Sequence, residues 1–419
     1  MRMMKDSGIE WIGEIPVNWN IKRVKAVLCE RNESNNPIQT GKILSLTNDR
    51  GVIPYEEKGD VGNKSKEDLT GYKLAYPGDI VLNSMNVFIG SVGLSSYFGC
   101  VSPVYYMLYP RNKNDSVGFF NYLFQTKELQ TKLHGYGNGI MEIRMRIQMS
   151  KLNSVQLPVP PSDVQQKIAD YLDRKCSQIK AIIARQQEVI EKLKAYKLSI
   201  ITEVVTKGLN PDTPMKDSGV EWIGKIPDHW EVMRFGRCAT IKSNLVAPGD
   251  YTDYPQISPD SIEKSSGRIL EYKTVKESGV ISWNHLFFKG QIIYSKIRPM
   301  LNKVTIAPFD GLCSADMYPI ETNNNTQFLV YMMLSDYFTS QVGLVTENRV
   351  KMPKINQNEL GAIMVTIPPQ SEQETISKYL LEKCSSIDDI IDKKQGFIGK
   401  LIDYQKSLIY EVVTGKKEV

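Results

Sequence analysis

Apolar residues recur at alternating spacings of four and three in one long stretch, and this stretch occurs twice in the chain. The first copy runs from Asp163 to Thr206 and the second from Ser371 to Thr414, at a constant offset of 208 residues. Aligned without a gap, 21 of the 44 positions are identical. Alternating spacings of four and three are typical of a coiled-coil seam. The pattern therefore predicts two long helices that pair with each other, rather than two unrelated surface helices.

The predicted seam has two columns of positions. Apart from Gln186 and Lys394, the first column consists of leucine and isoleucine residues: Leu172, Ile179, Leu193, Ile200, Leu380, Ile387, Leu401 and Leu408. The second column contains larger and more varied side chains, among them Ile182, Tyr196, Ile390, Phe397 and Tyr404. The chain passes through a whole further domain before the second helix starts, and the two halves are nearly symmetric. We therefore expect the helices to pair antiparallel.

Both helices are predicted to start at the same point of the repeat. A Pro-Pro pair precedes each copy and favours extended backbone there. Asp163 with Gln166, and Ser371 with Glu374, have the spacing of the N-cap and N3 residues of a capping box. At about 1.5 Å per residue, each helix would be roughly 66 Å long, which is too long for an ordinary core helix.

The helix repeat belongs to a larger repeat. Met4–Trp19 and Met215–Trp230 share 12 of 16 residues, and we call them the entry segments. The chain is thus predicted to contain domains at residues 1–160 and 215–368, long helices at 161–207 and 369–419, and a linker at 208–214. The tryptophans of the entry segments are expected to pack as an apolar clamp, and base stacking is the functional alternative.

Between entry segment and helix, both halves keep a common skeleton with different loops. Gly78 and Gly290 each open a predicted strand, and further β-type runs are broken by Gly, Asn and Pro. Each variable region is therefore predicted to be a mixed α/β (α+β) domain. One scaffold with different loops is typical of two binding modules that differ in specificity.

Composition narrows the class of protein. The 419 residues carry a net charge of +5, which is weak evidence for a nucleic-acid partner. Six scattered cysteines without a C-x-x-C pair favour a reducing, cytoplasmic location. The N-terminal residues do not resemble a signal peptide, and no run of 18 apolar residues predicts a membrane span.

Motifs for catalysis are weak. The sequence contains no phosphate-binding P-loop, no Gly-rich dinucleotide motif and no Asn-Pro-Pro-aromatic motif of amino-methyltransferases. Pro259-Asp260 with Glu271-Tyr272-Lys273 fits a loose nuclease pattern, but the first half has no counterpart. We therefore expect that the chain is not an enzyme. A nuclease with its own active site and a coiled-coil adaptor for proteins are the two alternatives.

Candidate DNA-binding residues lie in two places of each half, namely after the glycine-opened strand and in a basic loop before the long helix. Asn can pair with adenine and Arg with guanine, while Lys neutralises phosphate. Solvated surface is the plainer interpretation of any one of these residues. The candidates are Asn83, Ser84, Asn86, Asn138, Arg144 and Arg146 in the first half, and Ser295, Lys296, Arg298, Asn348, Arg349 and Lys351 in the second.

Over essentially its full length, the sequence resembles the specificity subunit of type I restriction–modification systems. The resemblance rests on the entry segments, the glycine turns, the Tyr294–Pro299 stretch and the helix starts that follow Pro160-Pro161 and Pro368-Pro369. Val164-Gln165 departs from the Glu-Gln that is usual in the family at the helix start, and we expect no consequence of this change.

The resemblance implies two target-recognition domains that each read half of a split DNA sequence, held apart by the paired helices. It also implies that two methyltransferase subunits dock on the helices and that restriction/translocase subunits join them. S-adenosylmethionine, ATP and Mg would then be bound by those partners, so no cofactor, metal or membrane contact is expected of this chain.

Overall fold

The computed structural model describes residues 2–48, 50–59, 65–86, 89–136, 146–347, 349 and 352–419. The chain divides into two compact units. Unit 1 consists of Met1–Gln186 together with Gly396–Val419, and unit 2 consists of Gln187–Gln395. Each unit therefore contains one variable region, the beginning of one long helix and the end of the other.

Unit 1 is built from short strands and helices, followed by the first long helix. Its strands are β1 (Met4–Asp6), β2 (Glu14–Pro16), β3 (Asn20–Arg23), β4 (Leu28–Arg31), β5 (Leu44–Thr47), β6 (Gly51–Pro54), β7 (Lys73–Ala75), β8 (Ile80–Asn83), β9 (Val92–Leu94), β10 (Gly99–Val101), β11 (Tyr105–Pro110) and β12 (Gln156–Val159). Its helices are α1 (Val24–Val27), α2 (Val117–Phe124), α3 (Lys127–His134), α4 (Met149–Ser154) and the beginning of α5 (Ser162–Lys207).

Unit 2 repeats this plan and ends in the second long helix. Its strands are β13 (Met215–Asp217), β14 (Lys225–Pro227), β15 (Glu231–Arg234), β16 (Ala239–Ile241), β17 (Leu245–Val246), β18 (Pro255–Ile257), β19 (Lys273–Thr274), β20 (Asn284–Phe287), β21 (Ile292–Ser295), β22 (Val304–Ile306), β23 (Gly311–Ser314), β24 (Met317–Thr322) and β25 (Met364–Ile367). Its helices are α6 (Phe235–Cys238), α7 (Val275–Ser278), α8 (Thr326–Leu334), α9 (Asp336–Thr346), α10 (Gln357–Ala362) and the beginning of α11 (Gln370–Val413).

The two units share strand order and pairing register. The sheet β4-β11-β8-β9 of unit 1 corresponds to β16-β24-β21-β22 of unit 2. Asn83 lies opposite Tyr105 in the first sheet, as Ser295 lies opposite Met317 in the second. Gly99 pairs with Ala75, as Gly311 pairs with Phe287. These pairs are related by an offset of 212 residues, and the mixed α/β prediction is confirmed.

The long helices pack antiparallel within each unit. In unit 1, Leu172 and Cys176 near the start of α5 share one hydrophobic core with Leu408 and Val412 near the end of α11. In unit 2, the roles are exchanged. Val204 and Val205 at the end of α5 share a core with residues at the start of α11, namely Ile376, Leu380 and Cys384.

The buried seam differs from the predicted one in its second column. Residues of the first column are buried or half-buried, whereas Ile182 is 43% exposed and Tyr196 is 59% exposed. The buried positions lie one residue further along, at Cys176, Ile190, Lys197, Cys384 and Ile391. A heptad seam can be completed by the residue three or four positions after the first column. The prediction for the second column is wrong because apolar side chains occupy both sides, and the sequence alone does not select one.

The predicted capping boxes are wrong. The long helices begin at Ser162 and Gln370, so Asp163 lies in the first turn, and the side chain of Gln166 bonds Asp170 instead. A neighbouring glutamine, Gln165 in α5 or Gln373 in α11, fixes the start of each long helix. Gln165 donates to the Pro160 carbonyl and accepts from the Ser116 amide, both at 3.0 Å. In unit 2, Gln373 makes the same two bonds at 2.9 Å, to the Pro368 carbonyl and from the Asn325 amide.

Each entry segment forms a hairpin, β1–β2 or β13–β14, against the end of a long helix. Trp19 and Trp230 are buried, so they are structural residues and do not stack on bases. Gly415 has a φ of 73° and lies so close to Pro16 that an added Cβ would come within 2.5 Å of its Cδ. Gly208 occupies the same kind of position beside Trp230. Trp222, by contrast, is exposed and does not belong to a clamp.

Candidate nucleic-acid interface

In unit 1, the structure brings the two groups of candidate residues together at one edge of the sheet. Strand β8 ends at Asn83, and the carbonyl of Ser84 accepts a hydrogen bond from the Ile147 amide at 2.9 Å. The side chain of Arg146, just before Ile147, is exposed. The end of the glycine-opened strand and the end of the basic loop therefore form one surface, although Ser84 and Arg146 are 62 residues apart in the sequence.

Unit 2 has the same arrangement with different side chains. Strand β21 ends at Ser295, and the carbonyl of Lys296 accepts from the Ile355 amide at 2.9 Å. Lys354 takes the place of Arg146, and its ammonium contacts the Asp316 carboxylate at 3.0 Å. The tyrosines below both surfaces match. The hydroxyl of Tyr106 donates to the Ile147 carbonyl at 3.0 Å, and that of Tyr318 donates to the Ile355 carbonyl at 3.4 Å.

Three of the candidate side chains support the turn after the strand instead of pointing outward. Ser84 is fully buried and donates to the Val104 carbonyl at 2.6 Å. Ser295 is buried and donates to the Ile297 carbonyl at 3.1 Å. The side chain of Asn83 accepts from the Met85 amide at 3.0 Å. These residues shape the surface, while half-buried Asn86 and exposed Arg146 are accessible to solvent.

In unit 2, Arg298 is exposed and holds a positive φ of 44°, which fixes the turn after Lys296. Arg349 is engaged by the protein: its guanidinium donates to the Lys354 carbonyl and to Glu359 at 3.1 Å. Hydrogen bonds from Arg349 are the main reason that the pKa of Glu359 is lowered. The remaining candidates, Asn138, Arg144, Asn348 and Lys351, lie outside the described residues.

Sequence reasoning missed Lys73 at the edge of unit 1, whereas Lys296 at the edge of unit 2 was among the candidates. Lys73 lies over the Tyr106 ring, with 5.5 Å between its ammonium and the ring centroid. In unit 2, Lys296 lies over the Tyr318 ring at 5.2 Å. The two lysines come from different strands, but the tyrosines correspond, so each unit places one cation over the same ring. Strand register does not identify Lys73, because the offset of 212 residues matches it with His285 and not with Lys296.

Unit 2 also has a buried histidine behind its edge. His285 on β20 is 4% exposed, and its Nδ1 atom has no hydrogen-bond partner among the described residues. Burial lowers the pKa of His285, and the nearby positive charge of Lys296 lowers it further. Burial is also the main cause of the raised pKa of Tyr318.

The loose nuclease pattern is not supported by a metal-binding geometry. Across the described ranges, no group of three or more His, Cys, Asp or Glu side chains is arranged to hold a metal ion. The carboxylate of Asp260 lies 3.6 Å from the Lys303 ammonium. Within the same ranges, no helix is both long enough and apolar enough to cross a membrane.

The profile of the type I restriction modification DNA specificity domain matches the chain twice, at residues 16–192 and 227–395. The chain belongs to this family. Both matches include one variable region and the first part of one long helix, in agreement with the tandem plan of the structure. The family domain is a DNA-recognition domain and not a catalytic one.

Individual relatives agree with the family match. The type I restriction enzyme EcoDI specificity subunit of Escherichia coli is 33% identical over 68% of this chain, and the match spans 66% of that subunit, just under two thirds of its length. The MjaVIII specificity subunit of Methanocaldococcus jannaschii is 24% identical over 80% of this chain and 77% of its own length. A solved chain from a study of type I R-M complex assembly and conformational transition has a TM-score of 0.70 at 11% identity, covering 96% of this chain and 99% of that one. That likeness shows a shared fold.

Proposed function

We propose that this chain is the DNA sequence-recognition subunit of a type I restriction–modification complex, in which each unit reads one half of a bipartite target. The observation that carries the proposal is the pair of matched strand edges. Both edges have the same backbone register, but the accessible residues Asn86 and Arg146 of unit 1 correspond to Arg298 and Lys354 of unit 2. Two domains that share a backbone arrangement but carry different side chains are suited to reading two different half-sites.

The paired long helices would set the unread spacer between the half-sites. Antiparallel packing within each unit supports this role, because a helix that is packed along a partner is a stiff element. A split DNA site requires two readers at a fixed separation and angular phase, since B-DNA repeats about every 10 base pairs.

The same helices would bind two methyltransferase subunits. Both helices expose large apolar side chains at matched positions, with Ile182 corresponding to Ile390 and Tyr196 to Tyr404. Exposed apolar residues that recur in both halves are suited to two copies of one partner. Restriction/translocase subunits would complete the complex, and S-adenosylmethionine, ATP and Mg would be bound by the partner subunits.

The proposal is tested by exchanging one variable region. Cells that carry the chain with its methyltransferase subunits are compared by methylome sequencing before and after residues 20–157 are replaced by the corresponding region of a family member with another target. One half of the methylated motif should change, and the other half and the spacer should not. The reciprocal exchange of residues 231–366 is the matched control. If either exchange altered both halves, the units would not read independently.

A second test concerns chemistry. The purified chain should transfer no methyl group from S-adenosylmethionine to DNA and should cleave no DNA in the presence of divalent metal. Methyl transfer or cleavage by the chain alone would favour an enzyme. A lack of sequence-selective DNA retention, even with partners, would favour a protein adaptor.

A further inference from the structure

Two exposed apolar side chains lie in the loop that leads into β20 of unit 2. Ile281 is 93% exposed and Trp283 is 60% exposed, in the loop between α7 and β20. Such large apolar side chains are costly to leave in water, and two of them in one short loop mark a binding surface. The residue that follows, Asn284, is buried and accepts a hydrogen bond from Gln256 at 3.4 Å, so the base of the loop is fixed.

The loop lies at the same edge as Lys296. Asn284 pairs with Ser314 across β20 and β23. The hydroxyl of Ser314 accepts from the Asp316 amide at 3.2 Å, and the Asp316 carbonyl accepts from the Lys296 amide at 3.0 Å. This short series of contacts places the apolar loop beside the lysine that lies over Tyr318. Apolar and cationic groups therefore share one surface, a combination that suits bases and phosphates together.

The corresponding position in unit 1 is a glycine. The Gly99–Ala75 and Gly311–Phe287 pairs align β7 with β20, and the same offset of 212 residues matches Trp283 with Gly71. Nothing lies within 4 Å of the place where a Cβ at Gly71 would be, so the site of the missing side chain is open. A surface for two copies of one partner protein should recur in both units, as Ile182 and Ile390 do. A surface that reads one half-site should occur in one unit, as Trp283 does.

We propose that Ile281 and Trp283 form an apolar wedge that contacts the bases of the half-site read by unit 2, with no equivalent of the Trp283 contact at the other half-site. This inference rests on the proposed function and adds the residues and the type of contact. Bulky apolar side chains of DNA-binding proteins pack on base faces or enter base steps and unstack them. Such a contact favours flexible pyrimidine–purine steps, so the half-site of unit 2 should contain one.

The experiment uses the full chain assembled with its methyltransferase subunits. Methylation of the cellular motif is measured for the wild type, Trp283→Ala and Trp283→Phe. Loss of the aromatic ring should reduce methylation of the motif about ten-fold at limiting enzyme, whereas phenylalanine should retain it to within about three-fold. Trp222→Ala removes another exposed tryptophan of the same unit and is the matched control, which should behave as the wild type.

Fluorescence of the same complexes gives a second readout. Duplex DNA with the motif should quench tryptophan emission in the wild type and in Trp222→Phe, and this quenching should be lost in Trp283→Phe. A melting temperature equal to that of the wild type excludes misfolding, as expected for an exposed side chain.

Unchanged methylation by Trp283→Ala, together with quenching that persists in Trp283→Phe, would overturn the wedge while leaving the proposed function intact. A variant that keeps the motif but no longer retains a partner protein would likewise overturn it. If the wild-type complex confers no sequence-selective methylation at all, both the wedge and the proposed function fail.

Discussion

Lys197 of α5 and Asp388 of α11 form a buried ion pair inside unit 2, with the lysine Nζ at 2.9 and 2.7 Å from the two carboxylate oxygens. The Lys197 side chain is 7% exposed, and that of Asp388 is 27% exposed. The corresponding positions of the helix repeat are occupied by Gln405 and Lys180, which are not an oppositely charged pair. The pair therefore distinguishes one end of the helix repeat from the other.

Asp388→Asn should destabilise the protein by about 3 kcal/mol, because it leaves the buried ammonium of Lys197 without a counter-charge. Lys197→Met should cost less, about 1 kcal/mol, since Asp388 reaches water. Urea unfolding measures both values. Lys194→Met breaks an exposed pair with Glu191 on the same helix and should change stability by less than about 0.5 kcal/mol. Equal costs for Asp388→Asn and Lys194→Met would contradict a buried role for the pair.

A second prediction concerns the residue before Gln165 and Gln373. Glu372 accepts a hydrogen bond from Trp230 Nε1 at 3.0 Å, but Val164 occupies the matching position, and Trp19 Nε1 is buried with no partner in the described part of the chain. Contrary to the expectation from the sequence, the valine at this position therefore has a structural consequence. Val164→Glu should supply that acceptor and stabilise unit 1 by about 1 kcal/mol. Thermal unfolding measures the change.

The reverse substitution, Glu372→Val, is the matched control and should destabilise unit 2 by about 1–2 kcal/mol, because it leaves the Trp230 indole N–H unpaired. A loss of stability in Val164→Glu would show that a carboxylate at this position does not reach Trp19. Val164 would then be no less favourable for the stability of its unit than Glu372 is for the other unit.

The third prediction concerns Gly99 and Gly311, which occupy corresponding positions in the two units. A Cβ on Gly311 would come within 2.6 Å of the Pro255 carbonyl oxygen, and one on Gly99 within 2.7 Å of the Lys42 carbonyl oxygen. Because both obstacles are backbone atoms, Gly99→Ala and Gly311→Ala should each cost about 1–3 kcal/mol in urea unfolding. Gly71→Ala has open space around its Cβ and should stay within about 0.5 kcal/mol of the wild type. A comparable cost at Gly71 would contradict the steric explanation.

The fourth prediction concerns pH. The pKa of His285 is held below its ordinary value by burial and, second, by Lys296. The unfolded chain therefore binds this proton more readily than the folded one, and the resulting stability is present above about pH 6.5 and is lost as the pH falls. His285→Gln and Lys296→Met should both lose less stability than the wild type between about pH 7.5 and pH 5.5.

Urea unfolding at both pH values measures this difference. Lys354→Met is the control, because its ammonium pairs with Asp316, and it should keep the wild-type pH dependence. An equal loss of stability in the wild type and in His285→Gln would show that His285 does not contribute.

Most of the fold followed from repeats, which can be aligned without any knowledge of tertiary contacts. The two long helices, the tandem α/β plan and the family were predicted from matched segments and are confirmed. The side of the seam was not predictable, because Ile182 and Ile183 both fit a heptad and only the packed partner selects one. Lys197 was missed for a related reason: a lysine is assigned to the surface unless its counter-charge, here Asp388, is known.

The candidate interface was predictable in outline but not residue by residue. Two of the segments selected from the sequence do meet in the structure, since the strand end at Ser84 contacts the segment that contains Arg146. It could not tell that the Ser84 hydroxyl turns inward to the Val104 carbonyl. Trp283 was missed because an apolar residue next to a strand is normally expected in the core. Its exposure depends on where β20 begins, one residue later.

The last prediction tests the helices as the element that sets the spacer. Four residues are inserted after Gln187 in α5 and four after Gln395 in α11, positions that correspond in the repeat. Four residues turn a helix by about 400°, so both apolar seams return to within about 40° of their original direction, and each helix lengthens by about 6 Å. Because one base pair rises about 3.4 Å, the unread spacer of the methylated motif should lengthen by about two base pairs. Both half-sites should stay unchanged.

Methylome sequencing of cells that carry the double insertion measures the spacer directly. An insertion in α5 alone is the control, because it moves the later seam residues by about 6 Å relative to an unchanged partner helix. Seam leucines that lose their burial cost on the order of 2–3 kcal/mol each, so the single insertion should unfold more readily and methylate poorly. An active double insertion with the original spacer would mean that the separation of the half-sites is set elsewhere, since both helices would have lengthened without any effect on the DNA that is read.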